Sequence, residues 1–440
     1  MISILSTMMA VIVGVVHTLT LGFVGVPPVQ HERNDAFPPT VYVGGLFVYG
    51  ERTALSVRMP YPGIFQGNVP QMVRDAGHEF YTASPGPITS NWDRAVTLFA
   101  ELTGTRADYG IAHSERYNHA RFGRDFSRYG PLVEGWSPAR PVNLLGYSVG
   151  AQTIYLFAHL LAEGCAYERA ATPADDLSPL FAGGNSDLIH SITSLGGTLN
   201  GSTIDAAVLD NPNLLQRAFY RIFFLIGSVG PLNNVYNIGL EHFGLSRHGT
   251  SLFTPTWPRN TRNFFGSGDH ILYDLSPGGA AAINQRVRTQ PDIYYFSYVL
   301  CVGYETEDNH WYLGRTERSN FFLFYYLGNR MGRGANFQGN SYQYRCQRTG
   351  ELRSFTIDET WLRNDGCVNF VSARFPFGAP NQAFQRNNIR PGVWQVMPTI
   401  YGYHHGYFGG FGFQDDITES LRDFFVNHIE LLNSTWGTGK

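Results

Sequence analysis

The stretch PVNLLGYSVGAQTIYLF, Pro141 to Phe157, constrains the fold of this chain more than any other. Its first part is a short apolar run that reads as a strand. From Ala151 onward apolar residues recur at helical spacing until Gly164 stops them. Ser148 stands at the tip between the two, with Gly146 and Gly150 two residues away on either side. A chain passes from strand to helix over so few residues only through a sharp turn, and glycines at those places let strand and helix approach closely. The serine hydroxyl then projects outward, and the backbone N–H of the following residue, Val149, lies beside any oxyanion formed there. Because a bare G-x-S-x-G arises easily by chance in a chain with 49 glycines, the weight rests on the strand before it and the helix after it.

The flanking chain supports a layered α/β architecture. Pro39–Gly50 (PTVYVGGLFVYG) reads as a buried strand running into a glycine-rich loop. NVPQMVRDAGHEFYTAS predicts a helix ending near Gly77 and then a strand, and NWDRAVTLFAELTG an amphipathic helix with Asp93 in its first turn. The polar stretch TRADYGIAHSERYNHARFGR reads as an insertion, and QPDIYYFSYVLCVGYE as one long aromatic strand. Asn213–Gly230 is apolar enough to be either a core helix or a lid over an apolar site. Strands alternating with helices imply a mostly parallel sheet covered by helices on both faces.

Composition removes some function classes. The formal net charge is −3, and the only lysine in the chain is Lys440. With acidic and basic residues interspersed, no basic stripe exists to recognise nucleic acid. Before Glu32 there is no formal charge, and residues 1–25 resemble a secretory signal peptide or a membrane anchor. Two glycosylation sequons, at Asn200 and Asn433, agree with entry to the secretory route. Of four cysteines, Cys301 and Cys346 bracket a polar, aromatic-rich segment and are the favoured pair if oxidised.

A serine hydroxyl needs a base within hydrogen-bond reach and a carboxylate to orient that base. In an α/β-hydrolase these follow the serine in the order acid, then histidine. Asp365 in RNDGCVN and either His404 or His405 in YHHGYF satisfy that order, although Asn364-Asp365-Gly366 alone reads as an ordinary turn. His113 and His119, with Asp93 upstream, form a second, weaker set suited to a metal.

The segments SNWDRA, DYGIAHSERYNHARFGR, LSPLFAGG, YDLSPGGAAAINQ, TWLRNDGCVN and GVWQVMPTIYGYHH occur in the same order as similar strings of one family. From Val41 to the carboxyl terminus the chain resembles the thermoalkalophilic bacillus-type lipases and their staphylococcal relatives. The resemblance implies an α/β-hydrolase domain over residues 26–440, with a zinc-binding insertion at about 90–125 and a lid at about 205–250. It implies a triad of Ser148, Asp365 and His405, His404 falling where the family has an Asp. It assigns a structural Zn²⁺ to Asp93, His113, His119 and Asp269, and the oxyanion hole to the N–H groups of Phe47 and Val149. The chain departs from the family at Gly45-Leu46, where His-Gly precedes the oxyanion Phe. It also departs at Tyr407 and Gly412, where acidic calcium ligands are expected, so the family's calcium site is not expected here.

The implied activity is that of a secreted serine carboxylic-ester hydrolase, a triacylglycerol lipase acting at a lipid interface, with no protein partner indicated. Two alternatives stand beside it. One is an esterase of dissolved short-chain substrates on the same fold. The other is a catalytically silent lipid-binding or adhesion protein, for which the altered Gly45-Leu46 pair is the best support.

Overall fold

A computed structural model describes residues 31–57, 59–63, 67–204, 236–245, 257–314, 322–334, 339–411 and 415–437. The proposed leader at 1–25 and the Asn213–Gly230 segment lie outside the described residues, as does all of the expected lid except 236–245.

Seven strands form the central sheet: β1 (Thr40–Val43), β2 (Phe80–Ala83), β3 (Val142–Tyr147), β4 (Ile189–Leu195), β5 (Tyr294–Tyr298), β6 (Asn381–Ala383) and β7 (Trp394–Val396). Their order is β6-β7-β5-β4-β3-β1-β2, and every pairing is parallel. β1 to β5 are buried throughout, as strands covered on both faces must be. Successive side chains alternate between two cores, since the side-chain period of a strand is two. Tyr42, Leu145, Tyr147, Leu195 and Phe296 point to one core, which also holds Phe425 and Leu421 of the C-terminal helix. Val41, Val43, Leu144, Ile192 and Tyr295 point to the other.

That second face is covered by α1 (Asn91–Thr103) and α3 (Gly150–Glu163); between them in sequence lies the short α2 (Ile111–Tyr117). α1 is capped by the Ser90 hydroxyl, which accepts the Asp93 N–H at 3.2 Å, and it ends at Gly104 in the left-handed conformation. The C-terminal helix, α4 (Asp415–Asn433), packs on the first face.

Several expectations are revised. Residues 91–103 are core helix; the added element is the two-stranded ribbon Arg106–Asp108 with Phe122–Asp125, which encloses α2. The aromatic strand breaks at Val299: Leu300–Cys301 leaves the main sheet and pairs with Ile400–Tyr401. All four cysteines are thiols. Cys301 Sγ accepts Arg363 Nε at 3.1 Å, while Cys346 lies in a separate hairpin with its N–H on Glu351, so the favoured disulfide does not form. Asn200 is buried and its amide donates to the Ser372 and Phe375 carbonyls at 3.2 and 2.8 Å, which removes it as a glycan acceptor in the folded chain. Among the described residues no helix is long and apolar enough to cross a membrane.

Candidate active site and metal cluster

β3 ends at Tyr147 and α3 begins at Gly150, so Ser148 occupies the turn, at φ 57°. That left-handed backbone is costly for a residue with a Cβ, and such strain persists only where the surroundings enforce it. They do so here through glycine. A Cβ on Gly150 would lie 2.2 Å from the Val43 carbonyl oxygen, and one on Gly146 would lie 2.6 Å from Ala151 Cα. The Ser148 N–H donates to the Leu195 carbonyl at 3.0 Å, tying the turn to β4.

Two later loops bring the other residues of the expected triad. Ser148 Oγ lies 2.9 Å from His405 Nε2, and His405 Nδ1 lies 2.9 Å from Asp365 Oδ2. Asp365 Oδ1 accepts the N–H groups of Cys367 and Val368 at 3.0 and 2.8 Å, which the Asn364–Gly366 turn presents to it. The His405 N–H donates to the Asp365 carbonyl at 2.8 Å, and Tyr147 OH donates to the His405 carbonyl at 3.0 Å. In the histidine loop, His405–Gly409 is a 3₁₀ turn. His404 caps it, its Nδ1 accepting the Gly406 N–H at 3.0 Å, and its ring rests on Phe324, away from Ser148. Burial holds the His404 imidazole down at about 4, so it is neutral.

The loop after β1 departs from expectation. Phe47 sits at φ 63°, and its N–H donates to the Pro87 carbonyl at 3.0 Å, which commits the donor assigned to an oxyanion. Its own carbonyl accepts Tyr236 OH at 2.9 Å. Gly45 is the residue that abuts the serine: a Cβ there would lie 2.6 Å from Ser148 Cβ and 3.2 Å from Ser148 Oγ. The next N–H along the chain belongs to Leu46. The Val149 N–H lies at the N-terminus of α3, where amides have no intrahelical acceptor.

Asp93, His113, His119 and Asp269 converge in a second place, with one potential ligand atom from each inside a 4.8 Å span. His113 Nε2 lies 3.1 Å from Asp269 Oδ2 and 3.5 Å from Asp93 Oδ1, and His119 Nε2 lies 3.3 Å from Asp269 Oδ2. Ligands bound at ~2.0–2.1 Å to a tetrahedral ion stand roughly 3.3 Å apart, so these separations suit such a centre. Two buried atoms, Asp93 Oδ1 and His119 Nε2, make no hydrogen bond among the described residues. His119 Nδ1 faces the Ala120 carbonyl at 2.9 Å, which leaves the Nε2 lone pair free to ligate. Although burial opposes charge on His113, Asp269 and Asp93 push it up to about 9; the histidines in turn hold both buried carboxylates below their ordinary range. Two carboxylates and two imidazoles around one point make a donor set suited to a cation. Sequence reasoning missed His242, whose Nε2 lies 2.8 Å from Asp93 Oδ2 in full burial and so aims Oδ1 at the cluster. Its only signal was a lone histidine in the apolar run NIGLEHFGL. Tyr407, at one position of the family's calcium site, pairs its hydroxyl with Ser420 at 2.9 Å; Gly412 lies outside the described residues.

A parallel sheet in which an interior strand delivers a serine on a strained turn, with an aspartate and a histidine supplied from loops beyond later strands, is an α/β-hydrolase fold. A family model described as "Lipase-like, C-terminal domain" matches residues 36–437, and the chain belongs to that family. It is 31% identical over 414 residues to Lipase 1 of Staphylococcus aureus, a match covering 92% of this chain and 55% of that protein. The crystal structure of Staphylococcus hyicus lipase superposes with a TM-score of 0.75 at 28% identity, covering 92% of this chain and 99% of that one. EstA from Clostridium botulinum gives 0.69 at 27% identity, covering 92% of each chain. The chain spans about half the length of the curated relatives it matches.

Proposed function

We propose that this chain is a carboxylic-ester hydrolase whose preferred substrates are acylglycerols presented at a lipid interface. The observation that carries the reading is the relay of two 2.9 Å contacts from Ser148 through His405 to Asp365, set on a strained strand-to-helix turn. Ser148 Oγ attacks the ester carbonyl while its proton passes to His405 Nε2. Asp365 keeps the His405 Nδ1 proton in place and stabilises the imidazolium. The tetrahedral oxyanion is received by the N–H groups of Val149 and Leu46, the latter replacing Phe47, whose N–H is held by Pro87. Collapse expels the alcohol, protonated by His405, and leaves an acyl ester on Ser148. A water then gives its proton to His405 and attacks that ester, releasing the fatty acid and restoring the hydroxyl.

Asp93, His113, His119 and Asp269 hold a structural Zn²⁺ in this reading. These two imidazoles and two carboxylates would hold the ion, which would tie α1 and the ribbon region to the chain around Asp269. The apolar amino terminus, together with the naming of its relatives as lipases, supports export and a lipid substrate.

Treatment with a chromogenic alkylphosphonate is the direct test. One equivalent of leaving group per chain and adduct mass on Ser148 are expected, and Ser148→Ala should neither react nor turn over. A wild-type chain that stays unlabelled would make it a binding protein. Rates on emulsified long-chain against dissolved short-chain esters separate the lipase from the esterase.

A further inference from the structure

Arg94 is fully buried in the first turn of α1, next to Asp93 but directed elsewhere. Among the described residues no carboxylate lies within ion-pairing distance of it. Each of its three nitrogens donates one hydrogen bond. Nη2 donates to the Gly44 carbonyl, Nη1 to the Gly86 carbonyl, and Nε to Thr153 Oγ1 at 2.9 Å. A buried charge is expensive unless hydrogen-bonded, so a neutral filler would serve better if only volume mattered here. The three acceptors belong to three elements that surround the oxyanion position. Gly44 opens the loop that carries Leu46, Gly86 precedes the Pro87 carbonyl that holds Phe47, and Thr153 lies one turn beyond Val149 on α3. Thr153 Oγ1 itself reaches Asn91 Oδ1 at 2.7 Å and the Val149 carbonyl at 3.3 Å. A rigid, planar fork can set three carbonyl and hydroxyl partners in one geometry, which a lysine point charge does not.

We propose that Arg94 is a positioning residue of the ester-hydrolysing site, fixing the Leu46 N–H and the Val149 N–H relative to each other. The proposal rests on the reading of Ser148 as the nucleophile. Oxyanion donors act only when aimed at the place where charge develops, so loosening the brace lowers turnover without weakening ground-state substrate binding.

Arg94→Lys and Arg94→Met, each titrated with a chromogenic phosphonate to count competent sites, test this. Turnover per titrated site should fall about 10²-fold, the scale of a ~1 Å misplacement, with KM within about twofold. A role in folding alone would instead lower the number of titratable sites and leave turnover per site unchanged, and that result overturns the proposal. Thr153→Val, which removes one of the three partners and keeps the arginine, serves if both arginine variants fail to fold. It should lower turnover per site by a smaller factor, and an unchanged value there also overturns the proposal. A wild-type chain inert to the phosphonate sinks the hydrolase reading and this one together, whereas normal turnover per site in the variants sinks this one alone.

Discussion

Asp365→Asn is the substitution whose outcome the geometry dictates most tightly. The side chain is isosteric, so the turn should fold as before. Oδ1 of residue 365 accepts two backbone N–H groups, from Cys367 and Val368, and the other oxygen faces His405 Nδ1. An asparagine has two ways to sit. With its oxygen toward the two amides it keeps both bonds and turns its NH2 toward His405. The flipped amide would set NH2 against two buried donors, leaving them unpaired at about 1–3 kcal/mol each, so the first orientation dominates. Its NH2 then donates to Nδ1, which forces the imidazole proton onto Nε2. That nitrogen is the one 2.9 Å from Ser148 Oγ, and in this tautomer it has no lone pair to take the serine proton. Loss of the base by this route costs about 10⁴ in turnover in a serine-protease triad, or about 5.4 kcal/mol of barrier. Initial rates on a dissolved p-nitrophenyl ester, normalised to folded protein by near-UV circular dichroism, measure it. A variant with the parental spectrum that keeps more than about a tenth of the rate would refute the tautomer argument.

Three further outcomes follow from other parts of the structure. Purified protein should contain about one zinc per chain, and the double variant His113→Ala, His119→Ala should lose it together with thermal stability; zinc retained by that variant would refute the ligand set. Burial holds His428 down at about 3, neutral between Thr193 and Tyr298, so on acidification the unfolded chain takes up this proton first. Its share of stability is complete above about pH 6.5 and is lost progressively toward pH 3, roughly 2 kcal/mol by pH 5. His428→Gln should therefore flatten urea-unfolding free energies between pH 7 and pH 5, and an unchanged slope would refute the assignment. A methyl group on Gly150 meets backbone oxygens of Val43 and Gly44 at 2.2 and 2.8 Å, neither of which can rotate away. Gly150→Ala should cost about 1–3 kcal/mol and displace Ser148 from His405, so wild-type melting and turnover would contradict the close packing.

Local periodicity carried a large part of this protein. The apolar run into Tyr147 and the helical spacing from Gly150 to Glu163 are short-range patterns, and they placed the elbow because strand and helix periods need no distant partner. The helix from Asn91 to Thr103 was legible for the same reason, from the amphipathic spacing of NWDRAVTLFAELTG, and the structure adds its Ser90 cap. Chain order alone also put an aspartate and a histidine pair after the serine. What only the tertiary structure decided are relations between residues far apart in the chain, as far as the 257 positions between Ser148 and His405. His405 rather than His404 meets Ser148 because the loop winds into a 3₁₀ turn, which sends one ring to the serine and the other onto Phe324. The Phe47 N–H is bound by a carbonyl 40 residues downstream, Pro87, that no spacing rule connects to it. The aromatic strand breaks at Val299 because Leu300–Cys301 finds its partner in Ile400–Tyr401. His242 joins Asp93 from 149 residues away, and Asn200, a sequon on paper, is consumed by carbonyls of Ser372 and Phe375. Hydrogen-bonding groups that end up buried take whichever partner packing brings to them, and packing is a property of the whole chain rather than of any window along it.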